Sequence, residues 1–147
     1  MSEHTRQTSP FRWEGIEVRP YKEEGTHFSG VTRQVLFEGG EGLSCQLRYF
    51  EVGAGGWSSL ERHRHAHAVM IIRGHGRVLI GERVVDAAAN DLVRVPPLTW
   101  HQFRAADDAP LGFLCMVDCE RDRPERPDAE ALATLAALPE VAAFIRM

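Results

Sequence analysis

An all-β fold, either a sandwich or a closed barrel finished by short helices, is predicted for this chain on three observations. Short segments rich in Val, Ile, Phe and Tyr recur from residue 11 to about residue 119. Clusters of turn-formers, EGG, GAGG, GHG, AAND and DDAP, separate them at intervals too short for intervening helices. Beyond residue 127 the alternation stops and apolar residues recur at helical spacing instead.

Taken in order, residues 1–10 are polar and are expected to form a flexible tail, with residues 11–147 a single domain. FRWEGIEVRPY, FSGVTRQVLF and LSCQLRYFEV read as the first strands, followed by HAVMIIRG, GRVLIGERVVD, DLVRVPP, HQFRA and PLGFLCMVDC. About eight strands at this spacing suit a barrel or sandwich. Gly74-His75-Gly76 is expected to be a hairpin turn, because glycine supplies the positive φ that tight turns need. The helical segment spans 128–146: Asp128 is placed to cap AEALATLAAL, and Pro139 opens PEVAAFIRM. Both helices carry an apolar stripe, which predicts that they cover a face or edge of the sheet.

Composition bounds the function. The 147 residues, 44% hydrophobic and 26% charged, suit one domain with a continuous core. A net charge of −4 with interspersed signs argues against nucleic acid or an anionic membrane as partner. No apolar run approaches the roughly 20 residues that cross a bilayer, and the polar start lacks a signal-peptide core, so a cytoplasmic location is expected. Cys45, Cys115 and Cys119 are odd in number and lack CxxC spacing. They are expected to be reduced, partly buried residues, with Cys115 and Cys119 pointing to one face of a strand.

The chemistry concentrates in ERHRHAH. Glu61, His63, His65 and His67 alternate, and on a regular strand all four would share one face, with Arg62 and Arg64 on the other. Imidazoles beside a carboxylate suit Fe, Mn, Ni, Cu or Zn rather than Ca or Mg. Downstream, a strand runs into Pro96-Pro97 and is followed by Trp100 and His101. The proline pair ends the ladder, so His101 can begin a returning strand and point inward. Which of the four clustered side chains would join it is open on spacing alone.

These stretches resemble the two motifs of the cupin superfamily. The first motif reads G, five residues, H-x-H, three or four residues, E, six residues, G. Gly55, Glu61, His63, His67 and Gly74 stand at those places, with Glu61 at the first His position and His67 at the Glu position. In the second motif, G, five residues, P-x-G, two residues, H, three residues, N, the places are held by Asn90, Pro96, Leu98, His101 and Ala105. The resemblance implies a double-stranded β-helix, or jelly-roll, barrel. It also implies one divalent transition metal per chain, held by Glu61, His63, His67 and His101, with a bend that turns His65 away. A set of His63, His65, His67 and His101, with Glu61 outside it, is the alternative.

A metal with open positions in a barrel mouth implies an enzyme acting on a small oxygen-bearing metabolite, as an oxygenase or otherwise as an isomerase or lyase. The second hypothesis is a non-catalytic module that binds or senses a metal or small molecule. Trp57, Tyr49, Phe50, Met70, Trp100, Phe103 and Phe113 are candidate pocket walls. The resemblance, and strands apolar on both faces such as VMII and VRVPP, also predict a homodimer.

Overall fold

In chain order the elements are β1 (Gln7–Ser9), β2 (Arg12–Trp13), β3 (Arg19–Pro20), β4 (Ser29–Phe37), β5 (Cys45–Trp57), β6 (His67–Ile80), β7 (Arg83–Ala88), β8 (Leu92–Val95), β9 (His101–Ala105), β10 (Leu111–Asp118), α1 (Ala129–Ala136) and α2 (Pro139–Phe144). The structure, a computed structural model, describes residues 2–147. Gln7–Ser9, within the segment expected to be a tail, pairs with Arg12–Trp13. Phe11 at the turn between them stacks on Tyr49, with ring centroids 5.5 Å apart.

The main sheet has eight strands in the order β10-β6-β9-β5-β4-β3, with β7 and β8 also on β6. Pairing of β10 with β5 closes it into a barrel, antiparallel at each ladder. Alternation along the strands sends Val31, Phe50, Val52, Val69, Ile71, Val78, Phe103 and Phe113 inward. Phe113 stacks on Phe103 at 4.3 Å and on Phe50 at 5.6 Å, so the barrel is filled by side chains. Burying each such group contributes about 1.5–3 kcal/mol.

Gly74-His75-Gly76 is not a turn. β6 runs straight through it for 14 residues, and the chain reverses at Gly81-Glu82 instead. The glycines serve a change of partner. Before them β6 pairs with β10 and β8; after them it pairs with β9 and β7. Gly74 has φ +63°, and a Cβ there would overlap the carbonyl oxygen of Pro110; one at Gly76 would overlap that of Arg104. A strand glycine marked by close backbone approach reads like a turn glycine until the neighbouring strands are known.

The helices begin as the sequence predicts. The Asp128 side chain accepts from the Ala131 N–H at 2.8 Å, capping α1. Leu135, Val141 and Phe144 pack on Leu60 and Leu79, forming a second apolar cluster on the outside of the barrel. The buried Gln102 of β9 pins the end of the chain there. Its Nε2 donates to the carbonyls of Ser58 and Arg146, and its Oε1 accepts from the Arg146 N–H. The three cysteines are free: Cys115 buried, Cys45 half-buried and Cys119 exposed. Cys119 lies beyond the end of β10, so it does not share a strand face with Cys115. Among the described residues, no helix is long and apolar enough to cross a membrane.

Candidate metal centre

The histidine cluster is built by a break in regular structure. Glu61 forms an isolated antiparallel bridge with His101, the chain bends at Arg64-His65, and β6 begins only at His67. The bend abolishes the alternation expected for a straight strand. Asp122 holds it: its carboxylate accepts from the backbone N–H of Arg64 at 2.8 Å and of His65 at 3.1 Å. Those donors, the Arg64 amide first, keep the Asp122 carboxyl well below the usual carboxylate range. Asp122 also binds the His65 ring, Nδ1 to Oδ1 at 2.8 Å.

His63, His67 and His101 converge, with one nitrogen of each lying within 4.8 Å of the others. His65 lies parallel to His63 at 3.7 Å between centroids, outside that triangle, with its Nδ1 committed to Asp122. Glu61 is buried beside the triangle, and its carboxylate meets Lys22 Nζ at 2.7 Å and the Tyr21 hydroxyl at 3.5 Å.

Hydrogen bonding orients the rings. His63 Nδ1 lies 2.6 Å from the His65 carbonyl and His101 Nδ1 lies 2.9 Å from the Thr99 carbonyl, so each Nδ1–H is a donor and each Nε2 keeps its lone pair. The Nε2 atoms of His63 and His67 are buried with no hydrogen-bond partner. Buried polar atoms are rarely left so, and a cation is the partner that converging lone pairs call for. Two nitrogens bonded to one ion at about 2.1 Å lie at most about 4.2 Å apart, a span within reach of these rings after a small rotation. The donor set therefore fits a transition-metal ion.

Burial, and secondarily the neighbouring His101, pushes the His63 pKa down to about 4. Burial first, then the adjacent imidazoles, also lowers His67, and burial lowers His101. These rings stay neutral in the folded chain well below the ordinary histidine pKa of about 6.5. Between that value and the folded values the unfolded chain takes up protons that the native rings refuse, so the metal-free protein loses stability as pH falls through this window. Its unfolding midpoint is expected to drop steadily from pH 6.5 to pH 4. The same neutrality should let the protein retain metal at pH 5.5, where free imidazoles are largely protonated, as elemental analysis after gel filtration would register.

Beside the cluster lie two cavities. One, of about 30 Å³, is walled by Val31, Phe50, Phe103 and Phe113 against His67 and His101. It has room for about one water. The other, of about 200 Å³, opens past His63, His65 and His67 to Lys22 and Arg48. Of the expected wall residues, Phe50, Phe103 and Phe113 are present. Tyr49 neighbours Phe50 on the opposite face of β5 and bonds Glu51, while Met70 is exposed and Trp100 lies under the Arg62 guanidinium. A larger groove of about 500 Å³ runs beside α1, between Glu82 and Asp128, and holds none of the imidazoles.

Residues 48–117 match the cupin domain family. A crystal structure of a cupin 2 conserved barrel domain protein from Rhodopseudomonas palustris superposes with a TM-score of 0.93 at 52% identity, covering 98% of this chain and 99% of that one. The chain belongs to the cupin family. A second cupin-2 domain structure, from Rhodospirillum rubrum, gives a TM-score of 0.87 at 55% identity over 92% of this chain and 91% of its own. A relative from the same organism, named 1-methylthio-D-xylulose 5-phosphate methylsulfurylase, is 55% identical over 138 residues, 93% of this chain and 88% of its own length.

Membership explains a backbone feature. The four glycine places of the cupin motifs, held here by Gly55, Gly74, Asn90 and Leu98, all have positive φ, at 74°, 63°, 79° and 55°. The left-handed backbone is kept even where glycine is not. At Leu98, where it is strained, the N–H donates to the His63 carbonyl at 2.7 Å and ties the loop before His101 to the cluster. Lys22, Tyr21 and Asp122 escape sequence inspection, because no local spacing links them to residues that lie 39 or more positions away.

Proposed function

We propose that this cupin is a metal-dependent enzyme acting on a small phosphorylated ketose, with one divalent transition ion held by His63, His67, His101 and Glu61. The observation that carries the metal is the pair of buried, unpartnered Nε2 atoms on His63 and His67, converging with a nitrogen of His101. Three imidazoles and one carboxylate suit Mn, Fe, Ni, Zn or Cu. When bound, such an ion supplies a Lewis acid for a carbonyl or hydroxyl oxygen. Lys22 orients the Glu61 carboxylate, and Tyr21, raised in pKa by burial and then by Glu61, remains a protonated donor beside it. Phe50, Phe103 and Phe113 give the inner side of the cluster an apolar wall, with space for no more than about one water.

The substrate class rests on the 55% identity to the methylsulfurylase. Its named substrate carries a methylthio group on C1 beside a C2 ketone. This favours chemistry at the carbon–sulfur side of that ketone over oxygen insertion, within the range of oxygenase, isomerase or lyase that the donor set permits. The test is to strip the protein of metal, reload it with Mn(II), Fe(II), Ni(II) or Zn(II), and follow the S-methyl proton resonance of 1-methylthio-D-xylulose 5-phosphate, with and without a reductant. Loss of that resonance with at least one metal, and none in the metal-free protein, is the expected result. Tight binding with an unchanged spectrum under every condition would make the chain a binding module instead. A homodimer is part of the proposal, supported by exposed Met70 and Leu92, paired across β6 and β8, and by Met116 on β10. A monomer mass by light scattering at micromolar concentration would remove it.

A further inference from the structure

The 200 Å³ cavity has a second chemical feature that the metal centre does not use. Arg33, Arg48 and Arg121 line it together with Lys22. The chain as a whole carries −4, yet here four cations meet only two carboxylates, Glu61 and Asp122. Both carboxylates are already engaged, Glu61 by Lys22 and Asp122 by His65 and the bend amides. Two positive charges are left in surplus.

None of the three arginines is paired with a carboxylate among the described residues. Arg33 Nε reaches only the Pro20 carbonyl, at 3.4 Å. Arg121 Nη1 donates to the Asp118 carbonyl at 2.7 Å and to Gln46 at 3.2 Å. Arg48 is the unusual one. It shares the inward face of β5 with Phe50 and Val52, its Nη2 faces the Cys115 sulfur at 3.7 Å, and its Nε–H is buried without an acceptor. A buried guanidinium N–H left unpaired is costly, and the Arg48 Nε–H points to an acceptor the chain itself does not supply.

We infer that Arg33, Arg48 and Arg121 form a subsite for a phosphate monoester, with Arg48 as its anchor. The inference rests on the reading of the chain as an enzyme of a small phosphorylated sugar. A guanidinium fork matches the paired oxygens of a phosphate, and a dianion offers counter-charge to arginines that have no carboxylate of their own. The phosphate end of the substrate then sits among the arginines while its carbonyl end faces the imidazoles that line the same cavity. Lys22 stays with Glu61 and does not bind the phosphate.

The experiment compares D-xylulose 5-phosphate with D-xylulose by titration calorimetry on the metal-loaded protein. The ester is expected to bind about 100-fold tighter than the free sugar, the size of two charge-assisted hydrogen bonds. Arg48→Met and Arg121→Met should remove that preference while leaving D-xylulose binding unchanged, and inorganic phosphate should compete in the wild type but not in Arg48→Met. Should Arg48→Met fail to fold, the exposed Arg121 makes Arg121→Met the deciding variant. Equal binding of ester and free sugar by the wild type, or wild-type binding of the ester by the folded variants, overturns the subsite. Turnover of the methylthio ester with unchanged KM in those variants would remove the subsite and keep the enzyme. Arginine-dependent binding of the ester without turnover would keep the subsite and remove the enzyme.

Discussion

Alanine at His63 or at His101 is expected to abolish stoichiometric metal binding, whereas alanine at His65 should leave it nearly intact. His63 and His101 are buried, oriented by carbonyl acceptors at Nδ1, and offer nothing but Nε2 to the cluster. Removing either leaves a hole where a donor stood, and elemental analysis should fall from about one metal per chain to under about a tenth. His65 differs. The contact it makes to His63 Nδ1 comes from its backbone carbonyl, which alanine keeps, and its ring is bound to Asp122. Losing that ring's stacking on His63 should cost no more than about tenfold in metal affinity, the lower end of what outer-shell partners contribute. Glu61→Ala is expected to weaken binding, and it frees Lys22 as an unpaired cation beside the site. If His65→Ala strips the metal while Glu61→Ala does not, the proposed ligand set is wrong.

Gly74→Ala should be among the most destabilising single-methyl changes available in this chain, at least about 3 kcal/mol. Two costs combine. A φ of +63° disfavours any residue with a Cβ, and that Cβ would overlap the Pro110 carbonyl oxygen, which is backbone and cannot swing aside. The Pro110 oxygen also accepts from the His75 N–H at 3.2 Å, so moving it disturbs the place where β6 changes partners. Gly15→Ala is the control, with φ +72° but nothing within 4 Å of its Cβ, and should cost only about 1 kcal/mol. Gly76→Ala isolates the other cost, because it overlaps the Arg104 carbonyl without a positive φ. Urea unfolding of the three variants measures the difference. Equal midpoints for Gly74→Ala and Gly15→Ala would show that the close approach at the barrel corner carries no energy.

The parts of this protein legible in one dimension are those that depend on near neighbours. Alternating apolar residues mark β4, β5, β6 and β10, since each strand needs one face in the core. Asp128 and Pro139 announce their helices because capping is a matter of three or four residues. The resemblance to the cupin motifs brings His63, His67 and His101 forward, whereas spacing alone leaves His65 and Glu61 in contention, because the bend that turns His65 aside is held by Asp122, 57 or more residues away. Gly74-His75-Gly76 misleads for the same reason: what decides between a turn and a strand crossing is the backbone of Pro110 and Arg104, some 30 residues away. Distance along the chain also hides Lys22, Asp122 and the arginines from three separate segments that share one cavity.

What the sequence determined alone, then, is the strand inventory, the helical ending and the imidazole spacing, all set by steric and hydrogen-bonding preferences acting within a few residues. Barrel closure through β10 and β5 decided the rest. Only that closure gathers Arg48, Arg121, Asp122 and Lys22 around the imidazoles, because charge and desolvation act through space and take no account of position along the chain.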